Sequence, residues 1–219
     1  MKRIAVILSG CGVYDGAEIH EATATLLALD RAGAEVTIAA PRGPQMHVVD
    51  HLTGEVVEGE RRDILVEAAR IARGQIRAVA DLDAADFDAV ILPGGFGAAK
   101  NLCTFATQGP DCTVNPEVES FLQAMHAAGK VVGAICIAPA LVARVFGREA
   151  PVKVTIGTDP TTADAIRKMG AEHVDTAVDQ VVVDPEHRIV TTPAYMLAGR
   201  ISEVFDGVER LVAKVLELC

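Results

Sequence analysis

The sequence contains no tryptophan, two tyrosines and six phenylalanines, so aromatic side chains are only 4% of the chain. The 50% hydrophobic content of its 219 residues must therefore pack mainly as aliphatic side chains and alanine, which is ample material for one core. Positive charge is also in deficit. Twenty Lys and Arg face thirty Asp and Glu, a net charge of −10, which argues against a nucleic-acid backbone as partner. No window approaches the ~18 apolar residues that a membrane span needs. The five apolar residues Ile4–Leu8 behind Met1-Lys2-Arg3 are too few for a signal-peptide core and read as a first strand. Cysteine is scarce and odd in number, five in all (Cys11, Cys103, Cys112, Cys136 and Cys219), with no paired metal-type spacing. Reduced thiols and a cytoplasmic setting are expected, which disfavours a Cys103–Cys112 bridge. The histidines show neither HxH nor HExxH spacing, so no metal is expected.

Short apolar runs alternate with helical patterns from end to end. Arg3–Ser9, Glu35–Ala39, Ala89–Leu92, Val131–Ile135, Val152–Ile156, Gln180–Val183 and Ile189–Thr192 read as strands, rich in Val and Ile and often apolar throughout. That is the pattern of strands covered on both faces. Helices are expected near 17–32, 60–73, 116–129, 137–146, 160–169 and 199–218. Asn115-Pro116 is a start signal, and Gly33, Gly129 and Gly170 stand where helix ends need a C-cap. Such alternation predicts an α/β sandwich around a mostly parallel sheet, in one domain spanning 1–219. Two segments exceed a minimal unit: 41–75, a turn or hairpin at His51–Gly54 followed by a helix, and Thr104–Asn115, a surface loop. Loops of this length often serve as lids or interfaces.

Ligands of parallel α/β sheets bind outside the carboxyl ends of the strands. Cys136 follows directly on Val131–Ile135 and opens a helix, where the dipole favours a thiolate. Gly133, Ala134 and Ala138 are the small neighbours that a tight strand-to-helix turn needs. A buried structural cysteine is the bland alternative, and position favours the nucleophile. At the end of a second strand, Leu92-Pro93-Gly94-Gly95-Phe96-Gly97 exposes backbone N–H groups suited to an oxyanion, although a plain tight turn explains it as well. It is not GxGxxG and no GKS or GKT follows, so nucleotide phosphates are not the expected ligand. After the first strand, Glu18 and Glu21 share a helix face at i, i+3. A solvated acidic first turn is the ordinary reading, and the periodicity does not say which glutamate points inward. His20 is ambiguous in the same way. His126 is expected on a helix surface; His47, His51, His173 and His187 sit at turns and strand edges.

Together these stretches resemble the ThiJ/PfpI superfamily of class I glutamine-amidotransferase-like proteins over nearly the whole chain. The carriers are Arg31-Ala32-Gly33, Val90–Gly95 followed by Asn101-Leu102, and Ala134–Cys136. Ser9–Glu21 (SGCGVYDGAEIHE), Pro93–Leu102 (PGGFGAAKNL), Cys136–Ala140 (CIAPA), Ile156–Asp159 (IGTD) and Thr191–Met196 (TTPAYM) resemble the ElbB branch. The resemblance implies a flavodoxin-like three-layer sandwich with a nucleophile-elbow cysteine at Cys136. It implies an acidic partner on the first helix, which counting back from Arg31 places at Glu21, with Glu18 as the fallback. Backbone donors fall on Gly94, Gly95 and Ile137, and Asn101 joins the candidate substrate-binding groups. Branch members are described as glyoxalases that turn glyoxal into glycolate without glutathione or other cofactor; superfamily members are commonly homodimers.

The departures bear on chemistry. PfpI-type peptidases carry a histidine directly after the cysteine, where this chain has Ile137. Other members have one about twenty residues later, near Ile156–Asp159. The late His-x-Glu pair of amidotransferases is absent at His187-Arg188-Ile189. Amide hydrolysis would lack its base and leaving-group acid. A 2-oxoaldehyde needs neither. Thiolate attack gives a hemithioacetal, and one carboxyl group can move a proton through an enediol, with His20, Tyr14 or Tyr195 adding a hydrogen bond. The rival expectation is a non-enzymatic, redox-responsive protein affecting isoprenoid supply, with Cys136 as sensor thiol.

Overall fold

The computed structural model describes residues 1–219. In chain order the elements are β1 (Arg3–Ile7), α1 (Ile19–Arg31), β2 (Glu35–Ala40), α2 (Ile64–Ile71), β3 (Arg77–Ala78), β4 (Ala89–Leu92), α3 (Phe96–Lys100) and α4 (Phe105–Gln108). They continue with α5 (Pro116–Ala127), β5 (Val131–Ile135), α6 (Ala138–Phe146), β6 (Lys153–Val154), α7 (Pro160–Lys168), β7 (Glu172–His173), β8 (Val182–Asp184), β9 (Ile189–Thr192) and α8 (Ile201–Leu218). Seven strands form one sheet in the order β3-β2-β1-β4-β5-β9-β8, parallel except for the antiparallel β8–β9 edge.

Side chains alternate across this sheet, so each central strand feeds two cores. Ala5 and Ile7 of β1 face a core closed by Leu122 and Met125 of α5 and Leu141 and Phe146 of α6. Ile4, Val6 and Leu8 face the other, closed by Leu29 of α1 and Val208 and Leu211 of α8. The expected three-layer α/β sandwich with a mostly parallel sheet is what forms. Asn115 caps α5 as expected, its Oδ1 accepting the N–H of Glu117 at 3.0 Å.

Several expectations need correction. The run Val152–Ile156 pairs only over Lys153–Val154, in a separate two-stranded sheet with β7, because Thr155 N–H turns away to the Thr191 hydroxyl at 2.9 Å. The 104–115 segment is not a plain surface loop. It contains α4 and a 3-10 turn, and it is pinned by a Cys103–Val114 bridge over the buried Cys103 and Cys112. Those two thiols hydrogen-bond but are free, as are the other three. His126 is half-buried rather than on the surface, its ring centroid 4.6 Å from that of Phe146.

Candidate active site

The carboxyl ends of β1, β4, β5 and β9 converge on one point. Cys136 leaves β5 with φ 62°, a left-handed conformation that only glycine adopts without strain. Its N–H donates to Thr192 O of the next strand at 2.9 Å, which locks the elbow to the sheet. The side chain then stands over the sheet edge, 7% exposed.

Glu21 meets it from α1. Glu18 is the N-cap of that helix and accepts the N–H of Glu21 at 2.7 Å. In an ordinary capping box, the glutamate at this third position would reach back to the cap. Here its carboxyl turns across the sheet end. It accepts the N–H of Gly94 at 2.9 Å on Oε2 and that of Tyr195 at 3.3 Å on Oε1, and hydrogen-bonds the Cys136 thiol. Glu21 is 0% exposed. Burial, reinforced by the Glu18 charge, pushes its carboxyl up to about 8, against three hydrogen bonds that pull it down.

The expectation of a dipole-favoured thiolate is overturned. Burial and the Glu21 charge push the Cys136 thiol upward, outweighing the Gly95 and Ile137 amides that donate to its sulfur. A thiol and a protonated carboxyl are therefore the resting pair near pH 7.

The glycines follow from this crowding. A Cβ on Gly94 would stand 2.5 Å from Cys136 Cβ and 2.9 Å from Glu21 Oε2. Gly95 has φ 89°, and its Cβ would run into the Gly16–Glu18 backbone. These small residues let the β4–α3 turn zip onto the β1–α1 loop, with Glu18 N–H donating to Gly94 O, Phe96 N–H to Val13 O and Gly97 N–H to Gly16 O.

The expected residues sort into three groups. Cys136, Glu21, Gly94, Gly95 and Ile137 meet at the sulfur. However, Gly94 differs from expectation, since its N–H is committed to Glu21 and not free for an oxyanion. Glu18 and Tyr195 line the adjoining cavity, and His20 stands behind both, its Nδ1 2.7 Å from the Tyr195 hydroxyl and 4.0 Å from Glu18 Oε1. Asn101 and Tyr14 do not belong. The Asn101 amide donates to Ser9 O and Asp15 O, and its oxygen accepts Met46 N–H, so it ties loops together with no group to spare. The Tyr14 ring packs on His51, centroids 5.0 Å apart, outside the cavity lining.

The cavity above the thiol has a volume of about 500 Å³. Phe96, Phe105, Ala106, Asp159, Thr162 and Met196 line it, and sequence reasoning assigned none of them. Phe96, Asp159 and Met196 lie inside the matched motifs, but nothing in a motif says which side chains face the substrate. Phe105 and Ala106 come from the 104–115 segment, so that loop is a wall of the site.

A family model for the DJ-1/PfpI family matches residues 2–197. The chain belongs to the DJ-1/PfpI family. Human glutamine amidotransferase-like class 1 domain-containing protein 3, a mitochondrial protein, is 52% identical over 99% of this chain and 83% of its own length. The mitochondrial ES1 protein of zebrafish is 37% identical, over 98% of this chain and 85% of its own. Among solved DJ-1/PfpI-like structures, an isoprenoid biosynthesis protein with an amidotransferase-like domain from Ehrlichia chaffeensis superposes with a TM-score of 0.92 at 38% identity, covering 99% of this chain and 100% of that one. The cytoplasmic expectation is corrected by these relatives. Both curated proteins are mitochondrial, and net acidity with reduced thiols does not separate the mitochondrial interior from the cytosol.

Proposed function

We propose that the chain, acting over 1–219 as one DJ-1/PfpI domain of the ElbB type, is a glutathione-independent glyoxalase that converts 2-oxoaldehydes to 2-hydroxy acids. The observation that carries this reading is the pairing of a strained elbow cysteine with a fully buried carboxyl group whose proton affinity sits near neutrality. None of the thirteen residues lining the cavity is a histidine, the usual base and leaving-group acid of cysteine-dependent amide hydrolysis.

In the ionised fraction, Glu21 takes the Sγ proton as sulfur bonds to the aldehyde carbon, and the carbonyl π electrons move to oxygen. That oxygen collects the proton back, giving the hemithioacetal. The Gly95 and Ile137 amides, released as sulfur loses charge, stabilise the oxyanion on the way. Glu21 then removes the proton from the sulfur-bearing carbon, whose electron pair forms the enediolate, and returns it to the neighbouring carbon, while the hydroxyl proton of the first carbon passes to the oxygen of the second, leaving the thioester carbonyl. The 2-hydroxyacyl thioester is hydrolysed, restoring the thiol. Gly94 and the Tyr195 amide hold the carboxyl oxygens, and the Tyr195 hydroxyl with His20 offers a proton exit to solvent.

Sensor thiols are exposed, with lowered proton affinity. Cys136 is buried and shifted the other way, which disfavours oxidation at rest and leaves nucleophilic attack dependent on a base within reach, the role given to Glu21. A homodimer, implied by the family resemblance, completes the reading and is checked by sedimentation equilibrium. The test of function is glycolate formed from glyoxal without glutathione. Molar excess over wild-type enzyme, absent for Cys136→Ala, supports the proposal; no more than one equivalent from wild type refutes it.

A further inference from the structure

The cavity is far larger than glyoxal. Pockets of roughly 300–1,000 Å³ hold ligands of drug size, and this one, at about 500 Å³, falls in that range. Its floor is Cys136 with Gly95 and Ile137, and Glu18, Asp159, Thr162 and Tyr195 give it a polar side. The apolar walls are Val13, Phe96, Ala99, Phe105, Ala106 and Met196, drawn from four separate stretches of chain. A two-carbon substrate would leave these side chains facing water.

The charge of the site is as selective as its size. No lysine or arginine lines the cavity, while Glu18 and Asp159 both do. The Glu18 carboxyl is also fixed in place, accepting Glu21 N–H at 2.7 Å. A carboxylate or phosphate on the substrate would meet two acidic side chains without a cation to offset them. The site is suited to a neutral molecule with a reactive carbonyl at one end and an apolar body at the other.

We infer that the preferred substrates are uncharged 2-oxoaldehydes carrying an apolar tail, alkyl or aryl, rather than glyoxal itself. The inference deepens the glyoxalase reading and rests on it. The aldehyde carbon sits at Sγ, and the tail runs between Phe96, Phe105 and Met196, burying apolar area on both sides. Part of that binding energy holds the reacting carbons against Glu21, so the tail raises kcat/KM.

The test is kcat/KM for 2-hydroxy acid formation along the linear series from glyoxal and methylglyoxal to pentylglyoxal, with phenylglyoxal and the anionic 2-oxoaldehyde 4,5-dioxopentanoate alongside. Each rate is normalised to the aldehyde's reaction with a free thiol. The expected result is a rise of about fourfold per methylene, the ~0.8 kcal/mol of a buried CH₂. Phenylglyoxal should rank with the long members and 4,5-dioxopentanoate below propylglyoxal, its neutral counterpart of equal length. Ala106 is exposed on the loop wall, so Ala106→Trp intrudes on the tail space without disturbing a core and should flatten the slope. Turnover of glyoxal with a slope that is flat or falling overturns this inference and leaves the glyoxalase reading standing. An unchanged slope in Ala106→Trp also overturns it, by placing the tail elsewhere. Absence of acid product from every member overturns both.

Discussion

Replacing Glu21 by glutamine should leave the protein less active and more stable, with a gain in stability that grows with pH. The Glu21 carboxyl has an ordinary value of 4.5 in the unfolded chain and about 8 when buried beside Glu18 and Cys136. Between those values the unfolded chain releases the proton while the folded chain keeps it. Stability is therefore full below pH 4.5, falls as pH rises, and stops falling above about pH 8. At ~1.36 kcal/mol for each tenfold in proton affinity, the loss is about 1 kcal/mol at pH 5, about 3 kcal/mol at pH 7 and about 5 kcal/mol at pH 9. Glutamine carries no charge and escapes this loss. Its oxygen can still accept the Gly94 N–H, but its NH₂ group faces the Tyr195 N–H and forfeits that hydrogen bond, about 1 kcal/mol at any pH. The net expectation is near-equal stability at pH 5, about 2 kcal/mol in favour of the variant at pH 7 and about 4 kcal/mol at pH 9. Urea unfolding of both proteins at the three pH values measures it. Parallel stability curves for wild type and variant would refute the buried, proton-retaining Glu21.

The remaining expectations concern activity. Because the ionised Glu21 is the base, wild-type kcat/KM for methylglyoxal should rise with pH through an apparent midpoint near 8, and a rate that falls over this range would exclude that role. Glu18→Gln removes the like charge that raises Glu21, so the midpoint of the same profile should move to lower pH; an unmoved midpoint would show that burial acts alone. Gly94→Ala drives a Cβ to 2.5 Å from Cys136 Cβ, which should lower stability by about 1–3 kcal/mol and kcat by about a hundredfold, read by urea unfolding and steady-state kinetics. Tyr195→Phe deletes the hydroxyl bonded to His20 but keeps the amide bonded to Glu21, so kcat should fall by about tenfold or less with the pH midpoint retained.

Much of the framework was legible because it is written in local periodicity. The Val- and Ile-rich runs at 4–7, 89–92 and 131–135 are buried on both faces, and that burial is what makes them apolar throughout. The shortest elements were not legible. β3 and β7 are two residues long each, and a paired dipeptide leaves no period to read. At the site, the position of Cys136 after a strand was visible, whereas its ionisation was misjudged. The dipole argument is local, and the charge facing the sulfur comes from Glu21, far away in sequence. The choice between Glu18 and Glu21 was open for the same reason, since both neighbour the apolar face of α1. Gly94, in the turn after another strand, is what draws Glu21 inward. Asn101 shows the converse: a residue within a matched motif whose three hydrogen bonds are all structural.

The most direct test of the central claim, that Glu21 moves the proton for a Cys136 adduct, follows methylglyoxal with Glu21→Gln at neutral pH. Aldehyde bound at Cys136 is detected by intact mass and lactate is counted per enzyme. The account predicts that wild type makes lactate in large excess, while the variant captures aldehyde at Cys136 and makes no more than one equivalent. Lactate in excess from the variant would contradict the account, because the proton would then be moved by some other group.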